Sequence, residues 1–155
     1  MKNSGREDRL DNDVFFACSV IEYIGRITKN KRSNVVKKLG ETEITRLIEL
    51  ADVLHCEPVE VTADKLIEKC EIIGGDFDNV SICKYTVPTH FDIAKVYKRL
   101  IIDIANAQKI TPLLALIKAY TSLISDKIDD YNSSMYFENP QYLFASYTAG
   151  KVLVD

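Results

Sequence analysis

Apolar residues recur at spacings of three and four over most of the chain, which is the period of an amphipathic helix. Phe15, Cys18, Val20, Ile21, Ile24 and Ile27 paint one broad face, and Phe16 and Tyr23 widen it. This predicts a central helix from Asn12 or Asp13, either of which can cap it, to about Lys29. Ser33 can open a short helix over 34–39, with Gly40 as its left-handed stop. The next stripe is Ile44, Leu47, Ile48, Ala51 and Leu54, on a helix of about Thr42 to Leu54. Pro58 suits the first turn of a fourth helix reaching Cys70, with Val59, Ala63, Leu66 and Ile67 inward.

From Glu71 to Thr89 the pattern changes. Gly74-Gly75 and several Asp and Asn residues precede the alternating run Val80-Ser81-Ile82-Cys83-Lys84-Tyr85-Thr86-Val87. An extended connector and a short strand both fit it. Helical spacing then returns over His90–Gln108. Thr111-Pro112 and Asn139-Pro140 are each a cap followed by a first-turn proline. They start a helix running to about Asn132 and a last one ending near Gly150. The expected fold is all-α: a single domain, 1–155, of six to seven helices in a compact bundle. A four-helix half (about 12–70) and a three-helix half (about 90–150) flank the connector at 71–89.

Composition supports a globular chain: 155 residues, 46% hydrophobic, 28% charged, with no Trp. The charged N-terminus, Met1 to Arg9, has no apolar stretch behind it and is expected to be a frayed lead-in rather than a secretory signal. No apolar run approaches the ~20 residues of a spanning helix. Four dispersed cysteines, Cys18, Cys56, Cys70 and Cys83, read as reduced thiols, so the expected compartment is the cytoplasm, with no membrane partner.

A formal charge of −3 hides strong blocks. Residues 26–40 carry +6 from Arg26, Lys29, Lys31, Arg32, Lys37 and Lys38 with no acid among them, and 41–83 carry −8. The basic block is a candidate patch for a nucleic-acid backbone or an acidic partner; the plainer reading is that it neutralises the acidic stretch after it. Residues 34–54 have the outline of a helix-turn-helix. Glu41, Glu43 and Glu49 would meet phosphate there, which argues against sequence-specific DNA binding.

The chemistry census names no catalytic residue, metal ligand or cofactor. His55-Cys56, Cys70 and Cys83 lack the close ligand pairs of structural zinc sites. Phosphate-cradling glycine motifs and nucleophile elbows are missing from the sequence. Asp126, Asp129 and Asp130 crowd one helix end, where acids oppose the helix dipole, and mark an earlier helix end or a docking face.

Aromatic residues concentrate in the tail: Tyr136, Phe137, Tyr142, Phe144 and Tyr147. Tyr142 and Phe144, two apart, point about 200° from each other on a helix, so one of them should meet something beyond the helix's own core stripe. Tyrosine's apolar body and polar tip suit an interface. The segment from Phe15-Phe16 through Ile21-Glu22-Tyr23, the helix ending at Gly40, Val53-Leu54-His55 and Ala63-Asp64-Lys65-Leu66-Ile67 resembles a short family of uncharacterised bacterial proteins. The resemblance covers about a third of the chain, implies a small bacterial helical protein, accessory or toxin–antitoxin-like, and carries over no catalytic residue. The expected function is a protein–protein interaction or accessory module, with a homodimer as one form. Nucleic-acid backbone binding through the basic block is the alternative.

Overall fold

Val14, Ala17, Cys18, Ile21 and Ile24 are buried along one side of α1 (Ser4–Thr28), as their spacing requires. Around this spine pack α2 (Arg32–Glu49), α3 (Ala51–Leu54), α4 (Val59–Lys69) and α5 (His90–Gln108). α6 (Pro112–Tyr120) packs on both α5 and α2, and α8 (Pro140–Ala149) packs on α5, with α7 (Leu123–Ile128) and a 3-10 turn at Met135–Phe137 between them in sequence. The computed structural model describes residues 4–153, and among these there is no strand. The fold is all-α, and one hydrophobic core runs through both halves by way of Ile93, Tyr97, Leu100 and Ile101 of α5. No helix among the described residues is long and apolar enough to cross a membrane.

Among the described residues eight helices stand where six or seven are expected, because two long stripes break while the segments either side of Gly40 join as α2. The 42–54 stripe divides at Leu50 (φ −105°, ψ 16°) into the end of α2 and α3. The stripe after Pro112 divides at Thr121-Ser122, where side chains compete with the backbone. Thr121 Oγ1 donates back to the Ile117 carbonyl at 2.7 Å, and Ser122 caps α7 by accepting from the Ser125 N–H. The first helix also starts earlier than its apolar face suggests. Ser4 to Asp11 continue α1, with Leu10 packed against the core and Asp11 3.5 Å from Lys98 of α5. Of the expected lead-in, Met1 to Asn3 lie outside the described residues. Gly40 has φ 73° and kinks α2 at the expected place.

The connector is irregular chain with a definite task. A helix C-terminus leaves carbonyls without partners, and the connector caps those of α1: Gly75 N–H donates to Thr28 O at 2.8 Å and Phe77 N–H to Lys29 O at 2.9 Å. Asn30 Nδ2 donates to Ile73 O at 2.9 Å and completes the seam. A Cβ on Gly75 would lie 2.6 Å from the Lys29 carbonyl, so the close approach demands glycine there. Further along, Asn79 Nδ2 donates to the buried Asp129 carbonyl at 2.9 Å, and Asn132 holds both Ile82 O and Lys84 N–H.

Beneath the connector the core contains charge. Arg32 is completely buried and its Nε lies 3.1 Å from Glu22 Oε1, itself completely buried. Burial opposes the charge on Arg32, but Glu22, with Tyr131 and Asp129 nearby, outweighs it and raises the guanidinium's pKa further. Tyr120 donates to Glu22 Oε2 at 3.0 Å and stacks on Tyr97 with centroids 3.9 Å apart. Room for the guanidinium comes from Gly25, where a Cβ would fall 2.4 Å from Arg32 Cδ. Glycine inside a helix ordinarily costs about 1 kcal/mol relative to alanine. Gly25→Ala is therefore expected to invert the usual sign and destabilise the protein by about 1–3 kcal/mol, as overpacking does; urea denaturation checks it.

Candidate functional site

A recess of about 480 Å³ in the surface is built on α1. Asn12, Phe15, Phe16 and Ser19 fall at i, i+3, i+4 and i+7, so helical geometry places them on one face looking into it. Ala51 and Asp52 of α3 form the opposite wall, with His55, Glu57 and Pro58 of the following loop and Val59 opening α4. Phe91 of α5 closes the floor beside Phe15, ring centroids 6.1 Å apart and planes tilted by 32°. Phe91 stays 42% exposed, although its spacing along α5 assigns it to the core face.

Carboxylates ring this aromatic floor. Asp13, Asp52 and Glu57 line the recess, and among the described residues no lysine or arginine does. Burial and the neighbouring Asp52 push the Asp13 carboxyl above its ordinary range, against the pull of Arg9 and His55. His55 Nδ1 sits 2.8 Å from Ala51 O. A carbonyl only accepts, so Nδ1 carries a proton. The recess thus pairs an apolar floor with a rim of carboxylates.

The second histidine belongs to a different setting. His90 packs edge-on to Tyr23 at 5.4 Å and beside Phe91 at 4.2 Å. Burial and Arg26 lower its pKa, against Glu60 and Asp92. Among the described residues neither imidazole hydrogen-bonds to a cysteine, and no group of three or more His, Cys, Asp or Glu is placed to hold a metal ion. All four cysteines are free.

The basic block does not form one surface. Arg32 is the clearest correction: it is an interior residue, spent on Glu22, because the α1–α2 turn folds it back over Gly25. Arg26 is partly buried, donating to Pro88 O at 2.8 Å and to Tyr131 at 3.3 Å, with its guanidinium 5.7 Å from the Tyr131 ring. Lys29 pairs with Asp78 at 3.6 Å and Lys31 with Asp126 at 3.5 Å, so acids of the connector and α7 neutralise both. Lys37 and Lys38 are exposed on α2.

The aromatic tail is largely built into the protein. Leu143 and Ser146 are the buried positions of α8, and Tyr142 and Phe144 are half-buried on either shoulder. What Tyr142 meets is the segment just after α8: its hydroxyl donates to Leu153 O, and Leu153 N–H donates to Ser146 Oγ at 3.3 Å. Tyr147 is half-buried too, and Tyr136 stacks edge-on to both Tyr131 and Phe137. Phe137, 68% exposed, is the member of the group that reaches solvent.

Comparison of this all-α chain with protein-family models, with curated proteins and with solved structures finds no match. The sequence pattern gives Asp13 as a helix cap and Phe15 as a core-face residue, and does not join them to His55 or Phe91. The adjacent pair Phe15-Phe16 is the one local signal of the recess, since successive helical residues diverge by 100° and a single stripe does not use both fully.

Proposed function

We propose that the protein is a protein-interaction module and that the recess between α1, α3 and α5 is its recognition surface. The occupant is a linear segment of a partner protein with an aliphatic or aromatic anchor. The observation that carries this reading is a concave recess of about 480 Å³ whose apolar floor leaves Phe15, Val59 and Phe91 partly exposed over the buried Phe16. Ligand sites are typically concave and apolar with a few polar groups at fixed places. The tail is less suited, because its tyrosines already have intramolecular partners. Four free thiols agree with the reducing cytoplasm in which we place the protein.

The basic-block alternative is disfavoured by the same accounting. Two of its six cations face solvent without an ion pair among the described residues, and phosphate-backbone binding draws on several at once.

Peptides selected on the full-length chain from a random linear display library test the reading. Phe91→Ala is expected to weaken their binding by about tenfold or more, the loss of a buried aromatic anchor. Phe137→Ala is expected to leave it unchanged. The opposite ordering of the two variants moves the interface to the tail.

A further inference from the structure

We infer that the recess selects a basic segment, seating a lysine or arginine head at the Asp13–Asp52 rim while a neighbouring apolar side chain fills the floor between Phe15 and Phe91. The inference rests on the recess being the recognition surface.

The charge balance of the rim is one-sided. Among the described residues, Asp13 and Asp52 make no ion pair within 4.0 Å. Glu57 has Lys65 at 3.4 Å, an exposed pair that solvent screens. Of the three carboxylates lining the recess, Asp13 and Asp52 are thus left without a cation in direct contact among the described residues, Arg9 and His55 pulling on Asp13 without forming such a pair. An ammonium or guanidinium, which only donates, satisfies such a rim; a phosphate or carboxylate is repelled by it. The partial burial of Asp13 beside Asp52 leaves its charge underpaid, and an incoming cation relieves both terms. The aromatic faces of Phe15 and Phe91 favour the same ligand, since a cation over a ring gains from its quadrupole while the aliphatic stem covers the floor.

The library peptides decide it. Those selected by the full-length chain are expected to be enriched in lysine or arginine next to an aliphatic or aromatic residue. Replacing the basic residue by norleucine or citrulline is expected to weaken binding by about tenfold, as is the Asp13→Asn, Asp52→Asn double variant. Both substitutions are isosteric at sites of partial or full exposure, and an unchanged thermal melt confirms the fold. Neutral or acidic peptides that bind, and that Phe91→Ala still weakens, overturn the cation assignment and leave the recess as the interface. A library that yields no binder, or binders indifferent to Phe91→Ala, overturns both.

Discussion

Arg32→Met is expected to destabilise the protein by about 3–5 kcal/mol, the cost of leaving one member of a buried ion pair alone. Glu22 would keep its charge at 0% exposure with the Tyr120 hydroxyl as its one remaining direct donor. Tyr131 and the Asn30 carbonyl would each lose a partner as well. Adding Glu22→Gln is expected to restore more than half of the loss, since glutamine still accepts from Tyr120 and brings no charge. The single variant should also have a distinctive pH response. Burial already pushes the Glu22 carboxyl up, against Arg32 and the Tyr120 hydroxyl, and removing Arg32 removes the larger restraint. A carboxyl whose folded pKa lies above its unfolded one takes up a proton more readily in the folded state, so the variant regains stability as pH falls. Urea denaturation at neutral and mildly acidic pH measures both effects; a loss below about 1 kcal/mol at neutral pH would mean the pair contributes only packing.

The contrast between Arg32 and the helix starts shows which parts of this protein are written locally. Thr111-Pro112 and Asn139-Pro140 announce α6 and α8 because a cap acts within three residues. Leu114 N–H donates to Thr111 Oγ1 at 3.2 Å, and Gln141 N–H to Asn139 Oδ1 at 2.7 Å. Apolar periodicity places the helices and Gly40 the kink, for the same local reasons. Arg32, by contrast, sits in a run of exposed cations and becomes an interior residue through Glu22, ten positions earlier, and Gly25, which vacates its space. The traces of that arrangement are an acid set among the apolar residues of α1 and a glycine inside a helix, two local costs that together report a compensating contact.

The recess is less legible still. Asp13, Asp52, His55 and Phe91 come from three helices and a loop, and they meet only because α3 and α5 both dock on α1. The charge blocks mislead for a related reason: sequence places Lys29 and Lys31 among cations, whereas folding brings Asp78 and Asp126 to them. The tail's aromatic density is real, but the covering agent is the chain's own residues 151–153, which no periodicity reveals.

Asp129→Asn is expected to stabilise the protein at pH 8 and to flatten its pH dependence. Asp129 lies behind the connector at 3% exposure, accepting from the Tyr97 hydroxyl at 3.1 Å. Burial pushes its pKa up to about 7, with Glu22 of α1 adding to the rise and Asp126 of α7 adding less; Arg32 of α2 and the Tyr97 hydroxyl of α5 oppose it. Against an ordinary value of 3.8, the folded state binds the proton more tightly than the unfolded chain over the interval between the two. Stability from this group is therefore highest in acid and declines as pH rises through that interval, by roughly 2–3 kcal/mol between pH 5 and pH 8. His90 runs the other way. Its lowered pKa costs stability as pH falls through the ordinary histidine range, so it opposes the Asp129 slope there and leaves the wild-type decline shallower than Asp129 alone would give. Asparagine keeps the acceptor for Tyr97 and cannot ionise beside Glu22. The decline above pH 6 should then disappear while the acid limb due to His90 remains. Chemical denaturation across pH 5 to 8 reads the difference directly, and an undiminished slope in the variant would assign the alkaline loss to Glu22 instead.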